Sequence, residues 1–184
     1  MMNKNFQKID NGIYLYKNFL SLSEIDKINS YLDSLSYENW NVVRQDELYS
    51  TIGLDFLNFL QDKYNNLLFD NLFFISNHLN VNKMIKNASW GQHADTHDYQ
   101  NLNVVVNNEQ EFKEVDMIKY CSVLYYNNFE GGEIYYPEKN ITIAPVPGDL
   151  ILHDAKIVHG VNIVKSDKRY STTKCFYEKI KVAV

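Results

Sequence analysis

From about Leu79 onward the chain is a succession of short segments rich in β-branched and aromatic residues, each closed by a polar or glycine-containing turn. Segments suited to strands are 81–87, 117–127, 133–136, 141–144, 149–152, 158–164 and 170–180. Such residues fit a pleated, half-buried surface, and this many short strands must close into a sandwich or barrel to bury their apolar faces. Gly131-Gly132 and Pro147-Gly148 mark two of the turns.

The first third has a different period. Ile13-Tyr14-Leu15-Tyr16 alternates weakly and reads as a short edge strand. Ser21-Leu22-Ser23-Glu24 then offers capping hydroxyls and an early carboxylate, the pattern of a helix start. Ile25, Ile28, Leu32 and Leu35 follow at helical spacing along one face. A second helix is expected over about 47–68, with Leu54, Leu57, Leu60, Tyr64 and Leu68 along its stripe. Helices followed by strands imply an α+β fold. Its core, over about 79–182, is expected to be a double-stranded β-helix, or jelly roll, braced by N-terminal helices over about 1–78. The 184 residues suit one domain, 1–184, with a sizeable core.

Composition narrows the partners. A net charge of -5 without a basic stripe gives no reason to expect nucleic acid or an anionic membrane as a partner. No apolar run is long enough for a signal peptide or a bilayer span. Cys121 and Cys175 stand far apart and outside any CxxC arrangement, so they read as buried reduced thiols of a cytoplasmic protein. Arg44 and Arg169 are the only arginines among abundant Lys and Asn, a bias that fits an AT-rich genome such as that of a bacterial virus. In so arginine-poor a chain, an Arg within a motif carries extra weight.

The chemistry concentrates in His93-Ala94-Asp95, His159 and Arg169-Tyr170-Ser171. Two imidazoles and one carboxylate can occupy three neighbouring corners of an octahedral metal and leave the others free, the arrangement of non-haem Fe(II) sites. In an extended segment, residues i and i+2 share a face, so His93 and Asp95 can both reach one ion. His159, in Ile157-Val158-His159-Gly160-Val161, would arrive from a later strand. His97 and His153 compete for the same roles. An extended His-x-Asp-x-His run would have to converge three same-face positions, so His97 suits a lid or an outer layer. His153 ends an apolar strand and suits core packing, and His78 suits the surface or a helix-to-strand turn. The polar, weakly patterned stretch 96–114 directly follows the first two candidates and suits a mobile lid.

Taken together, Gln92-His93-Ala94-Asp95, Cys121-Ser122-Val123-Leu124-Tyr125-Tyr126-Asn127, Phe129-Glu130-Gly131-Gly132-Glu133, Pro147-Gly148-Asp149-Leu150, His159-Gly160-Val161 and Arg169-Tyr170-Ser171 resemble, in order and spacing, the prolyl 4-hydroxylase-like branch of the Fe(II)/2-oxoglutarate oxygenases. The resemblance covers roughly residues 80–180. It implies that His93, Asp95 and His159 are catalytic iron ligands and that Arg169 pairs with the distal carboxylate of 2-oxoglutarate. Bidentate Arg–carboxylate geometry suits that task. It further implies that Ser122, Leu124 and Tyr126 face inward, with the Tyr126 hydroxyl on the co-substrate, Ser171 beside Arg169, and Tyr125 packed on the opposite face.

The implied reaction consumes O2 and 2-oxoglutarate at Fe(II), with ascorbate as a supporting reductant, and hydroxylates an unactivated C–H bond. Related halogenases carry a small residue where Asp95 stands, so the acid argues for hydroxylation. Collagen-type prolyl hydroxylases usually carry lysine where Arg169 stands, which leaves the co-substrate assignment intact but loosens the transfer of substrate. A peptide or protein substrate, through a peptidyl proline, is the leading expectation. A free amino acid, a small-molecule metabolite or a nucleobase is the alternative, as is a non-catalytic cupin-like metal-binding module.

Overall fold

The computed structural model describes residues 6–35, 54–65, 67, 72–73, 79–96 and 112–183. The strands are β1 (Phe6–Asp10), β2 (Ile13–Tyr16), β3 (Leu72–Phe73), β4 (Leu79–Ile85), β5 (Trp90–His93), β6 (Phe112–Tyr125), β7 (Ile134–Tyr136), β8 (Ile141–Ile143), β9 (Leu150–Asp154), β10 (His159–Val161) and β11 (Lys168–Ala183). They form two sheets. A seven-stranded sheet runs β1-β2-β9-β6-β11-β3, with β4 also paired to β11, and a four-stranded sheet runs β5-β10-β7-β8. Every pairing is antiparallel. The fold is α+β with the two-sheet core expected from the strand-rich half. Among the described residues, no helix is long and apolar enough to cross a membrane.

Among the described residues the α-helices are α1 (Leu22–Ser34) and α2 (Leu54–Asn65). The start of α1 is the one its sequence predicts. Glu24 N–H donates to Ser21 Oγ at 3.4 Å, and Ser21 N–H donates to the Glu24 carboxylate at 2.8 Å. This reciprocal capping box satisfies two donors that the first helical turn leaves unpaired. Ile25, Ile28 and Leu32 are the buried face of α1. They pack with Leu60 and Tyr64 of α2 onto Leu124, Tyr126, Leu150, Leu152, Tyr170 and Phe176 of the large sheet. The Lys63–Glu24 ion pair, at 2.6 Å, ties α2 to α1. Asn29 donates to the Tyr126 carbonyl at 2.6 Å, and Asp33 accepts from Tyr170 Oη at 2.9 Å, so α1 is tied to the ends of β6 and β11.

One expectation changes. Ile13–Tyr16 is not an edge strand: β1 occupies the edge and β2 pairs with β9 on its other side. Asn11-Gly12, with Gly12 at φ 78°, turns tightly enough for Phe6–Asp10 to fold back on it, a hairpin whose outer strand is mostly exposed and therefore gives little apolar signal. The part of the predicted second helix before Leu54 lies outside the described residues, as do His78, His97 and segment 97–111.

The opposite face of the large sheet meets the small one. Ile13, Leu15, Val123, Tyr125 and Ile151 pack there against Ile134 and Tyr136. The large sheet is therefore buried on both sides, by helices on one and by the small sheet on the other. His153, Arg169 and Ser171, all buried, project from the large sheet into this second interface.

Candidate metal centre

β5 and β10 pair antiparallel with His93 directly opposite His159. Their rings lie 4.4 Å apart. β5 stops at His93, and the backbone N–H of Asp95, in the turn beyond, donates to the Ala155 carbonyl at 2.9 Å. That bond swings the Asp95 carboxylate under the two rings, where a continued strand would have carried the chain past them. His93 Nε2 lies 3.7 Å from Asp95 Oδ1, and His159 Nε2 lies 3.8 Å from Asp95 Oδ2. One potential ligand atom from each of the three residues lies within 4.8 Å of the others.

The tautomers follow from the other ring nitrogens. His93 Nδ1 is 2.9 Å from the Gly91 carbonyl, and His159 Nδ1 is 3.0 Å from the Ile157 carbonyl. A carbonyl only accepts, so both Nδ1 atoms carry the proton, and the neutral rings present Nε2 lone pairs to the carboxylate. Burial, reinforced by the nearby His153, pulls His159 down to about 4, so it is uncharged near neutrality. Two lone pairs and an anion facing one point repel each other unless a cation joins them. This donor set, imidazole plus carboxylate on one side of a point open to solvent through the half-exposed His93, fits Fe(II) or a similar divalent ion.

Asp95 has a fourth neighbour. His153, on β9 and fully buried, places Nε2 3.1 Å from Asp95 Oδ2 and Nδ1 3.1 Å from the Tyr136 hydroxyl. Burial pushes the Asp95 carboxyl up, but the His153 hydrogen bond, with the charges of the surrounding imidazoles, outweighs it and brings the group to about 2. Because His159 is neutral near pH 7, the hydrogen bond is the part that persists there. The Cys121 thiol, opposite His153 in the β6–β9 register, also faces this carboxylate, and burial raises it well above its ordinary range, so it remains a thiol. Cys121 is buried and Cys175, its register partner on β11, half-buried; both are free.

Arg169 lies on the same inner face of the large sheet, 2% exposed. Its Nε donates to the Gly132 carbonyl at 3.0 Å and its Nη1 to Ser171 Oγ at 3.1 Å. The guanidinium stacks on Tyr125, 4.9 Å from the ring centre, and on Phe129 at 5.3 Å. Gly132 makes room for it. Its φ of 65° is a left-handed conformation, and a Cβ there would stand 2.9 Å from Arg169 Cδ. Among the described residues no carboxylate forms an ion pair with Arg169, and the buried Tyr125 hydroxyl has no hydrogen-bond partner of good geometry. A buried cation and an orphaned hydroxyl side by side suit an anionic ligand such as the far carboxylate of 2-oxoglutarate.

No protein-family model matches the sequence, and no curated protein matches it. Solved structures do match. A viral collagen prolyl hydroxylase from Paramecium Bursaria Chlorella virus-1, in complex with 2OG, superposes with a TM-score of 0.58 over 91% of this chain and 96% of that one, at 18% identity. An oxidoreductase of the 2OG-Fe(II) oxygenase family from Burkholderia pseudomallei gives 0.53 over 91% and 84%, at 17% identity. HygX from Streptomyces hygroscopicus, with nickel and 2-oxoglutarate bound, gives 0.60 over 91% and 81%, at 11% identity. The fold is that of the 2OG-Fe(II) oxygenases.

Within this oxygenase fold, one part of the sequence reading is corrected. Ser122, Leu124 and Tyr126 do not face Arg169. They point to the helices: Leu124 and Tyr126 belong to the helix-side core, Ser122 Oγ donates to the Lys174 carbonyl at 3.1 Å, and the Tyr126 hydroxyl hydrogen-bonds Thr172 Oγ1. The reason is register. Ser171 pairs with Tyr125 across the β6–β11 ladder, and directly opposed residues share a face, so Tyr125 accompanies Arg169 and Ser171. Ser171 stands beside Arg169 as expected. His153 packs in the core as expected, but its contact with Asp95 was not foreseen, because an apolar run such as Leu150-Ile151-Leu152 gives no hint that the next residue meets a carboxylate from another sheet.

Proposed function

We propose that this chain is an Fe(II)- and 2-oxoglutarate-dependent dioxygenase that hydroxylates an unactivated C–H bond, most directly that of a peptidyl proline. His93, Asp95 and His159 would hold the iron, and Arg169, with Ser171 and Tyr125, would hold the distal carboxylate of 2-oxoglutarate. The observation that carries this reading is the presence, in the one interface between the two sheets, of a His-Asp-His cluster and a buried guanidinium that no described carboxylate neutralises. When bound, iron and 2-oxoglutarate together supply the oxidising power, with O2 consumed and succinate and CO2 released.

The protein's own part is placement. The carbonyl bonds at Nδ1 of His93 and His159 fix which nitrogen each ring offers. Three protein ligands on one side would leave the ion accessible to co-substrate and O2. The large sheet closes the site from below, and Tyr125, Tyr136 and Ile134 exclude water around it. On the open side, Trp90 is 47% exposed with its ring 6.2 Å from that of His93. An exposed indole beside the reacting centre offers a flat surface on which a proline ring can stack, which supports the peptidyl reading alongside the likeness to a collagen prolyl hydroxylase. Ascorbate would serve to keep iron reduced.

The deciding experiment measures succinate formation from 2-oxoglutarate with Fe(II), ascorbate and O2, with and without proline-rich peptides. The expected result is succinate that rises with peptide, together with a product carrying one added oxygen on proline. Basal succinate indifferent to every peptide would overturn the prolyl substrate and retain the oxygenase. Iron-loaded, folded protein that forms no succinate would overturn the oxygenase reading in favour of a metal-binding module.

A further inference from the structure

We propose that His153 is a positioning residue for Asp95: through the chain Tyr136 Oη–His153–Asp95 Oδ2, it holds the carboxylate so that it meets the metal through one oxygen. The inference rests on the reading of His93, Asp95 and His159 as metal ligands.

The geometry is a line of three side chains from three strands or turns. Tyr136 ends β7, His153 lies in β9, and Asp95 follows β5. The two contacts are 3.1 Å each, and both Tyr136 and His153 are 0% exposed, so water does not compete for either nitrogen. A carboxylate only accepts, so His153 Nε2 carries a proton and donates to Oδ2. In the neutral ring Nδ1 then has a lone pair, and the Tyr136 hydroxyl, which burial holds in its protonated form, donates to it. Each group thus fixes the next: the tyrosine sets the tautomer, and the tautomer sets the carboxylate.

The consequence concerns coordination number. Oδ2 is the oxygen shared between His153, at 3.1 Å, and His159, at 3.8 Å, while Oδ1 lies towards His93 at 3.7 Å. An Oδ2 that already accepts an N–H hydrogen bond is the poorer ligand, which would leave Oδ1 to bind. A carboxylate free to rotate could chelate with both oxygens and fill one of the corners that co-substrate and O2 need. His153 also lies 4.2 Å from His159, ring to ring, yet it is not among the groups whose ligand atoms converge. It acts on the ion through Asp95.

The test uses Co(II) as the probe, by titration and visible absorption, on the full chain and without turnover. His153→Phe fills the same space without the hydrogen bond and is expected to weaken Co(II) binding by about 10- to 100-fold, the usual effect of losing a ligand's hydrogen-bond partner. Its d–d bands should shift in position and intensity with the change in carboxylate binding. His153→Gln, whose amide nitrogen can reach where Nε2 was, should restore affinity and spectrum. Tyr136→Phe should shift the bands in the same sense by a smaller amount. Wild-type affinity and spectrum in His153→Phe overturn the proposal. If that variant does not fold, unchanged bands in Tyr136→Phe overturn it instead. Failure of the underlying reading looks different: the wild type takes up no Co(II), or Asp95→Ala binds it as tightly as the wild type.

Discussion

Tyr125 and Tyr126 are neighbours in the chain and both fully buried, yet they sit in different proteins in all but name. Tyr126 points to the helices, its hydroxyl paired with Thr172 and its ring among leucines. Tyr125 points to the small sheet, its ring against a guanidinium and its hydroxyl unpaired. The same contrast holds for the whole large sheet. The helix side is built mainly of leucines, isoleucines and aromatic rings, while the inner side gathers the imidazoles, the Asp95 carboxylate and the Arg169 guanidinium. A pleated strand sorts residues by parity, so a sheet buried on both faces can spend one face on stability and the other on a site.

This contrast breaks first at Asp95. Asp95→Ala is expected to remove metal binding and reduce hydroxylation to background, with the far-UV spectrum of metal-free protein near wild type and a lowered melting temperature, because the buried His153 N–H loses its acceptor; full activity would remove Asp95 from the site. The next largest effect is a pH dependence set by His159. Its folded value of about 4 lies below the ordinary 6.5, so the native state binds fewer protons than the unfolded one between those values. Stability is whole above about 6.5 and falls as pH drops towards 4, by about 3 kcal/mol in total. Denaturant titration of metal-free wild type and His159→Gln across this range checks it, because the variant should lose that slope.

Arg169→Ala should raise the 2-oxoglutarate concentration for half-maximal turnover by about 10- to 100-fold, the scale of a lost charged hydrogen-bond pair, with Co(II) affinity little changed. An unaltered co-substrate requirement would discredit the assignment. The smallest effects are the sharpest for the comparison. Tyr126→Phe strands the buried Thr172 hydroxyl and should cost about 1 kcal/mol of stability with no change in co-substrate dependence. Tyr125→Phe removes an unpaired hydroxyl, so stability should hold and the 2-oxoglutarate requirement should rise a few-fold. The reverse pattern, in paired melts and succinate assays, would put the site on the helix side.

The same parity explains what could be read from sequence. The strand-rich half, the capping box of α1 and the order His-x-Asp, His, Arg-x-Ser are visible because each is local or rests on residue chemistry. The facing of 121–126 is not, because every residue there is buried and no polar–apolar alternation survives. Ser122 looked like a pointer to the site, but its hydroxyl is satisfied by the Lys174 carbonyl on the adjacent strand. β5 is hidden in the sequence for the opposite reason: Trp90, Gly91 and Gln92 are exposed and carry no apolar stripe. His153 could be placed in the core but not against Asp95, since that contact joins strands of two sheets.

The pairing of His93 with His159 has a mechanical side. Among the described residues β5 is the outermost strand of the small sheet, short and mostly exposed, with β10 as its one neighbour in the strand order. An ion gripped by both histidines would act as a rivet across the outermost seam of the sheet. Metal binding would therefore add to the backbone hydrogen bonds that already hold this border, and the stability of β5 would rise with metal concentration.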